Sequence, residues 1–115
     1  MAKSIDPLMP LLLEFRDERE WERFHFPKEL SAAISIEASE LQELFLWRKR
    51  ETAEEITKDT LRMDLIKDEV ADIMIYLLFI TNDLKIDLHE AVQQKIMKNR
   101  KKYPVEEYRG KYRKH

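Results

Sequence analysis

The apolar positions of this chain recur mostly three and four residues apart, the spacing of helices that lay one face on a core. Leu8, Leu12 and Phe15 mark such a face, and Asp6-Pro7 offers an N-cap followed by proline at the first helical position. A first helix is therefore predicted from about Pro7 to Phe24. His25-Phe26-Pro27 interrupts it, because a residue before proline avoids the helical region. Pro27 then opens a second predicted helix reaching about Arg50, with the stripe Leu30, Ala33, Ile34, Glu37, Leu41 and Leu44. Residues 51–57 are polar and are expected to form a loop or a short helical turn. A third helix is predicted from about Asp59 to Leu84, with the stripe Leu61, Leu65, Ile66, Glu69, Asp72, Ile73, Tyr76 and Ile80. Lys85-Ile86-Asp87 makes a tight connection. Asp87 with Glu90 three residues later is a capping-box pattern for a fourth helix ending near Tyr103, before Pro104. The last eleven residues are charged and aromatic and are expected to be irregular. Four helices with short connections predict an all-α four-helix bundle over 1–104 followed by a basic tail over 105–115, with the second and third helices antiparallel neighbours.

The stripes carry acids where apolar residues belong. Glu37 and Glu40, like Glu69 and Asp72, are three residues apart, so each pair forms a two-carboxylate claw on its helix. Turning Glu37, Glu69 and Asp72 outward would expose Leu41, Leu44, Ile73 and Ile80 instead. A solvated face explains Glu43 as well as a site would, but not these three. Buried carboxylates are costly unless a cation meets them. Arg48 and Arg62 stand at helix ends rather than opposite the claws, so two facing claws predict a metal site. A di-iron centre would need two Glu-x-x-His units, and this chain has one such spacing, Glu22 to His25. All-oxygen ligation points to Mg2+, or Mn2+, ions that typically act on phosphates.

Composition narrows the picture further. At 115 residues the chain is long enough for one core, and one glycine with four prolines argues against a turn-rich β fold. The absence of cysteine rules out disulfides, zinc–thiolate sites and a thiol nucleophile. No basic region followed by an apolar run opens the chain, and the most apolar stretch, 73–81, is about half the ~20 residues of a membrane span. A soluble cytoplasmic protein is expected. The net charge of −2 divides unevenly: residues 1–94 carry 12 Lys+Arg against 21 Asp+Glu, whereas residues 95–115 carry 9 against 2. No other feature resembles a nucleic-acid-binding motif, so the basic end is read as a phosphate or acidic-surface partner rather than a nucleic-acid interface. Trp21 and Trp47 read by themselves as core anchors, and Tyr76, one turn beyond Asp72, equally as a core tyrosine or a site residue.

Glu37-x-x-Glu40 followed by Glu69-x-x-Asp72 resembles the signature of the all-α nucleoside triphosphate pyrophosphohydrolases, the MazG-like superfamily. The segments RDEREWERFHFPKEL, EASELQELFLWRKR, DEVADIMIYLL and KNRKKYP are similar to its dCTP pyrophosphatase branch, from about Phe15 to Pro104. The resemblance implies hydrolysis between the α and β phosphates of a nucleoside triphosphate, with Mg2+ held by Glu37, Glu40, Glu69 and Asp72. It implies Glu40 as general base, with Glu37 second. Trp21 and Trp47 match base-stacking tryptophans, with His25 and Phe26 lining the same slot and Tyr76 packing under the deoxyribose. Lys95 and Asn99 match positions that contact the triphosphate, within a basic stripe that includes Lys98 and Lys102. Leu12 stands where the branch can carry a histidine, which removes a polar group from the base site and loosens the expected cytosine preference. Family members assemble as dimers or tetramers, and the third helix is apolar on more than one face, so a homodimer or homotetramer is expected. A dUTP or broad-specificity pyrophosphatase, and a non-catalytic nucleotide-binding bundle, are the alternatives.

Overall fold

The computed structural model describes residues 4–111 and is all-α, with no strand among those residues. The chain divides between Ile80 and Thr81 into two compact units. The first unit holds α1 (Leu8–Glu18), a 3₁₀ turn (Trp21–Phe24), α2 (Pro27–Glu43), the short α3 (Ala53–Thr57) and most of α4 (Thr60–Asp83). The second holds α5 (Leu88–Lys102) and the short α6 (Val105–Tyr108).

The predicted first helix stops early. Its C-terminal carbonyls are taken in tight turns, Arg19 N–H to Arg16 O and Glu20 N–H to Asp17 O, and Glu20 then adopts φ +53. That left-handed residue ends the helix, and the chain resumes as the separate 3₁₀ turn. Asp6 does not cap with its side chain; α1 begins after Pro7 with no side-chain cap bond. Pro27 stands at the first helical position of α2, as proline's missing N–H and fixed φ favour. The α2 stripe is inward as predicted: Leu30 is buried, and Ala33, Ile34, Glu37, Leu41 and Leu44 are half-buried.

α2 ends at Glu43, not near Arg50. Leu44 and Phe45 donate to carbonyls three residues back, and Trp47 takes φ +63. Residues 51–57, expected to form a loop or a short helical turn, contain α3, which Thr52 caps by accepting the Glu55 N–H at 3.2 Å. Asp59 caps α4 through its carboxylate, accepting the Arg62 N–H at 3.1 Å.

The predicted α4 stripe holds from Ile66 onward, with Ile66, Glu69, Asp72, Ile73, Tyr76 and Ile80 all half-buried. It fails before that. Leu61 is 80% exposed and Leu65 is also exposed, while Arg62 is 7% exposed. Arg62 has taken the inward place because a partner for its charge lies there. Leu30, Leu78 and Phe79 are the buried hydrophobic side chains among the described residues. Arg16, from α1, is buried with its guanidinium 4.9 Å from the Phe79 ring centre.

In the second unit a Schellman turn closes α4: Ile86 N–H reaches Thr81 O and Lys85 N–H reaches Asn82 O, with Lys85 at φ +56. Asp87 caps α5 by accepting the Glu90 N–H at 3.0 Å, which is half of the predicted box. The Glu90 carboxylate accepts from Gln94 Nε2 instead. Beyond Pro104 the expected irregular tail forms α6, and the Tyr103 and Tyr108 rings meet edge to face at 5.1 Å. Residues 112–115 of that tail lie outside the described residues.

Candidate metal centre

One oxygen from each of Glu37, Glu40 and Glu69 lies within 4.8 Å of the other two. Glu37 and Glu40 are neighbours on α2 by helical spacing, and α4 supplies Glu69. Glu37 and Glu69 are half-buried and Glu40 is exposed, so the cluster opens to solvent on the Glu40 side. The Glu37 carboxyl is raised from 4.5 to about 7. Its hydrogen bond to the Glu69 carboxyl is the chief cause, followed by burial, the hydrogen bond to Glu40 and the charges of Glu40 and Asp72. For Glu69 the bond with Glu37 acts downward, yet burial together with Glu40 and Asp72 leaves it raised. Like charges at this spacing cannot all ionise cheaply, which is why both carboxyls are raised.

The donor set fits a hard divalent cation. It is all oxygen, it concentrates negative charge, and one Oε2 atom each of Glu37 and Glu69 is buried with no hydrogen-bond partner. Such orphaned acceptors are costly in the absence of a cation. Asp72 stands outside the three-oxygen group, yet its charge acts on Glu37, Glu69 and Tyr76.

Beside the acids lies an aromatic cluster that brings three predicted residues together. His25 is half-buried, with its ring 6.3 Å from Trp21, 6.4 Å from Tyr76 and 5.2 Å from Phe79. Phe15 meets Trp21 edge to face at 5.6 Å. Burial raises the Tyr76 hydroxyl's pKa, and the charges of Glu37 and Asp72 add to it. Tyr76 therefore joins the aromatic cluster to the acids. Phe26 is exposed beside it in sequence. Trp47 stands apart from this cluster: it is 99% exposed and makes no ring contact among the described residues. Lys95, exposed, and Asn99, half-buried, are four residues apart on α5 in the second unit. Leu12 is half-buried on α1.

A second charged group was not visible in the sequence. Arg62 donates from both terminal nitrogens to Glu51, at 2.9 and 3.0 Å, and from Nε to the Leu44 carbonyl at 3.1 Å. Arg48 adds an Nε bond to Glu51 at 3.2 Å, and the Arg62 guanidinium lies 5.0 Å from the Phe45 ring centre. Glu51 is lowered to about 2, first by Arg62 and then by Arg48. The one signal for it was the register: Arg62 precedes Glu69 by seven residues, two helical turns, and so shares its face. Against that, a charged residue outside a tidy apolar stripe reads as solvated.

The sequence profile of the MazG-like family matches residues 32–114. Among curated proteins, the dCTP pyrophosphatase 1 of Bos taurus is 36% identical over 107 residues, 93% of this chain and 63% of that protein. The dCTP pyrophosphatase 1 of Homo sapiens is 32% identical over 112 residues, 97% of this chain and 66% of that protein. The chain thus spans just under two thirds of the length of these relatives. Among solved structures, a pyrophosphatase from Archaeoglobus fulgidus superposes with a TM-score of 0.77 at 41% identity, covering 90% of this chain and 95% of that one.

Proposed function

Because the chain belongs to the MazG-like family, we propose that it is a nucleoside triphosphate pyrophosphohydrolase acting on dCTP or related, including modified, deoxynucleotides. The reaction is cleavage between the α and β phosphates to a nucleoside monophosphate and pyrophosphate. The observation that carries this reading is the Glu37–Glu40–Glu69 cluster with its unpartnered buried oxygens. Glu37 and Glu69, with Glu40 and the nearby Asp72, would hold Mg2+ or Mn2+. When bound, the cation supplies charge neutralisation and Lewis acidity at the phosphates. Glu40, exposed at the mouth of the cluster, takes the proton from the attacking water. Trp21 and His25, with Tyr76 setting the floor under the sugar, form an apolar platform for the base, and the exposed Trp47 offers a second stacking face from its own loop. The protein is further read as a cytoplasmic homodimer or homotetramer. Exposed Leu61, Leu65 and Val70 on α4 support assembly, since a monomer gains nothing by presenting them to water.

The test is pyrophosphate release from a panel of nucleoside triphosphates, 5-modified cytosines included, with and without divalent cation. Cation-dependent release led by dCTP or its analogues is expected. Leu12 in place of a polar group favours a second reading, a dUTP or broad-specificity enzyme, which release spread over several bases would establish. Binding of the cation with no release from any substrate would instead mark a non-catalytic nucleotide-binding protein. Glu40→Gln is expected to lower turnover by at least ~100-fold in a folded protein, the usual contribution of a general base.

A further inference from the structure

α2 and α4 meet at two charged clusters in one antiparallel register. A carboxylate oxygen of Glu37 on α2 lies within 4.8 Å of one of Glu69 on α4. Seven residues on from Glu37, just past the end of α2, is the Leu44 carbonyl, and seven residues back along α4 from Glu69 is Arg62, which bonds it. Seven residues are two turns, a rise of about 10 Å, so the second cluster lies on the same helix faces displaced along the axes. A nucleotide separates its phosphates from its base on that scale.

The Arg62 guanidinium closes a loop. It grips the Leu44 carbonyl at the start and the Glu51 carboxylate at the end, so residues 44–51 are fixed at both ends by one side chain. Phe45 packs under the guanidinium and Arg48 fastens to Glu51 from within the loop. At its tip Trp47 adopts φ +63, a left-handed conformation unfavourable for a residue with a side chain. Such strain persists where the surroundings over-determine it, and it gathers at functional sites. Here its result is an indole 99% exposed, which gives nothing to this chain's core. A loop free to relax would fold that indole onto apolar surface.

We propose that Arg62 and Glu51 are positioning residues: they hold Trp47 ready to receive the substrate base without touching substrate themselves. This deepens the reading of Trp47 as a base platform and rests on it. Holding the indole in advance spares its ordering on binding, so the benefit falls on substrate affinity rather than on the chemical step.

The experiment uses the full chain with Arg62→Lys, which cannot reproduce the two-pronged grip, and Glu51→Gln, which keeps its shape should the lysine variant fail to fold. KM and kcat for dCTP are measured at saturating Mg2+, alone and combined with Trp47→Ala. Anisotropy decay of Trp47, in proteins that also carry Trp21→Phe, reports indole mobility without requiring turnover. The expected result is a mobile indole, a KM raised roughly 5- to 10-fold with kcat within 2-fold, and no further rise in the Trp47→Ala background. An unchanged indole mobility overturns the inference whatever the kinetics show. So does a KM that stays normal while Trp47→Ala raises it, or an effect that adds fully to Trp47→Ala. A normal KM for Trp47→Ala by itself sinks the base-platform reading and the inference with it.

Discussion

Glu37 and Glu51 are both half-buried glutamates held against α4, and they titrate at opposite ends of the range. Glu37 is raised to about 7 and Glu51 is lowered to about 2. Burial opposes ionisation in both cases, so the partner decides. Glu37 faces another carboxyl and the charges of Glu40 and Asp72, whereas Glu51 faces the Arg62 and Arg48 guanidiniums. The first cluster is short of positive charge, which is the basis for reading it as the cation site. The second is complete within the chain and serves as a strut. The same residue type against the same helix thus distinguishes a site from a scaffold by charge balance alone.

Substitutions should separate the two most sharply. Glu69→Gln removes a carboxylate from the open cluster, and kcat/KM should fall by at least ~1000-fold, since Lewis-acid stabilisation is worth several kcal/mol. Circular dichroism should remain that of the wild type. Turnover within tenfold of wild type would remove Glu69 from the centre. Glu51→Ala should do the reverse to stability: it strands the buried Arg62, and Tm should drop by roughly 5 °C or more. A wild-type melting curve would mean that the strut bears no weight.

pH should move the two clusters in opposite directions. Glu37, raised above its ordinary 4.5, contributes stability that is fully present below 4.5 and is lost as pH rises through about 7. Glu51, lowered to about 2, contributes stability that is present above 4.5 and is lost as pH falls towards 2. In metal-free protein, Glu37→Gln should flatten the Tm profile between pH 4.5 and 7 only, and Glu51→Gln only below 4.5. Added Mg2+ or Mn2+ should raise Tm more at pH 8 than at pH 5, because only the ionised cluster can take the cation. Equal stabilisation at both pH values would break the contrast. Smallest of all, Glu43→Gln on the exposed side of α2 should leave stability within ~0.5 kcal/mol of wild type by denaturant melts.

The helical class, the inward stripe of α2 and the start of α4 at Asp59 were legible in the sequence, and so were Glu37, Glu40 and Glu69 as acids that could meet. Each follows from periodicity or from a cap within one segment, and these act over a few residues. The early end of α2 was not legible, because it depends on Arg62, eighteen residues away, taking the Leu44 carbonyl. Nor was the inward turn of Arg62 in place of Leu61 and Leu65, since a guanidinium is buried only where a carboxylate and a carbonyl wait for it. Trp21 and Trp47 look alike along the chain, yet one joins the His25 cluster and the other stands in solvent on a strained loop. Local pattern determined which residues could make a site; long-range hydrogen bonds and charge pairing decided which of them the fold brings together.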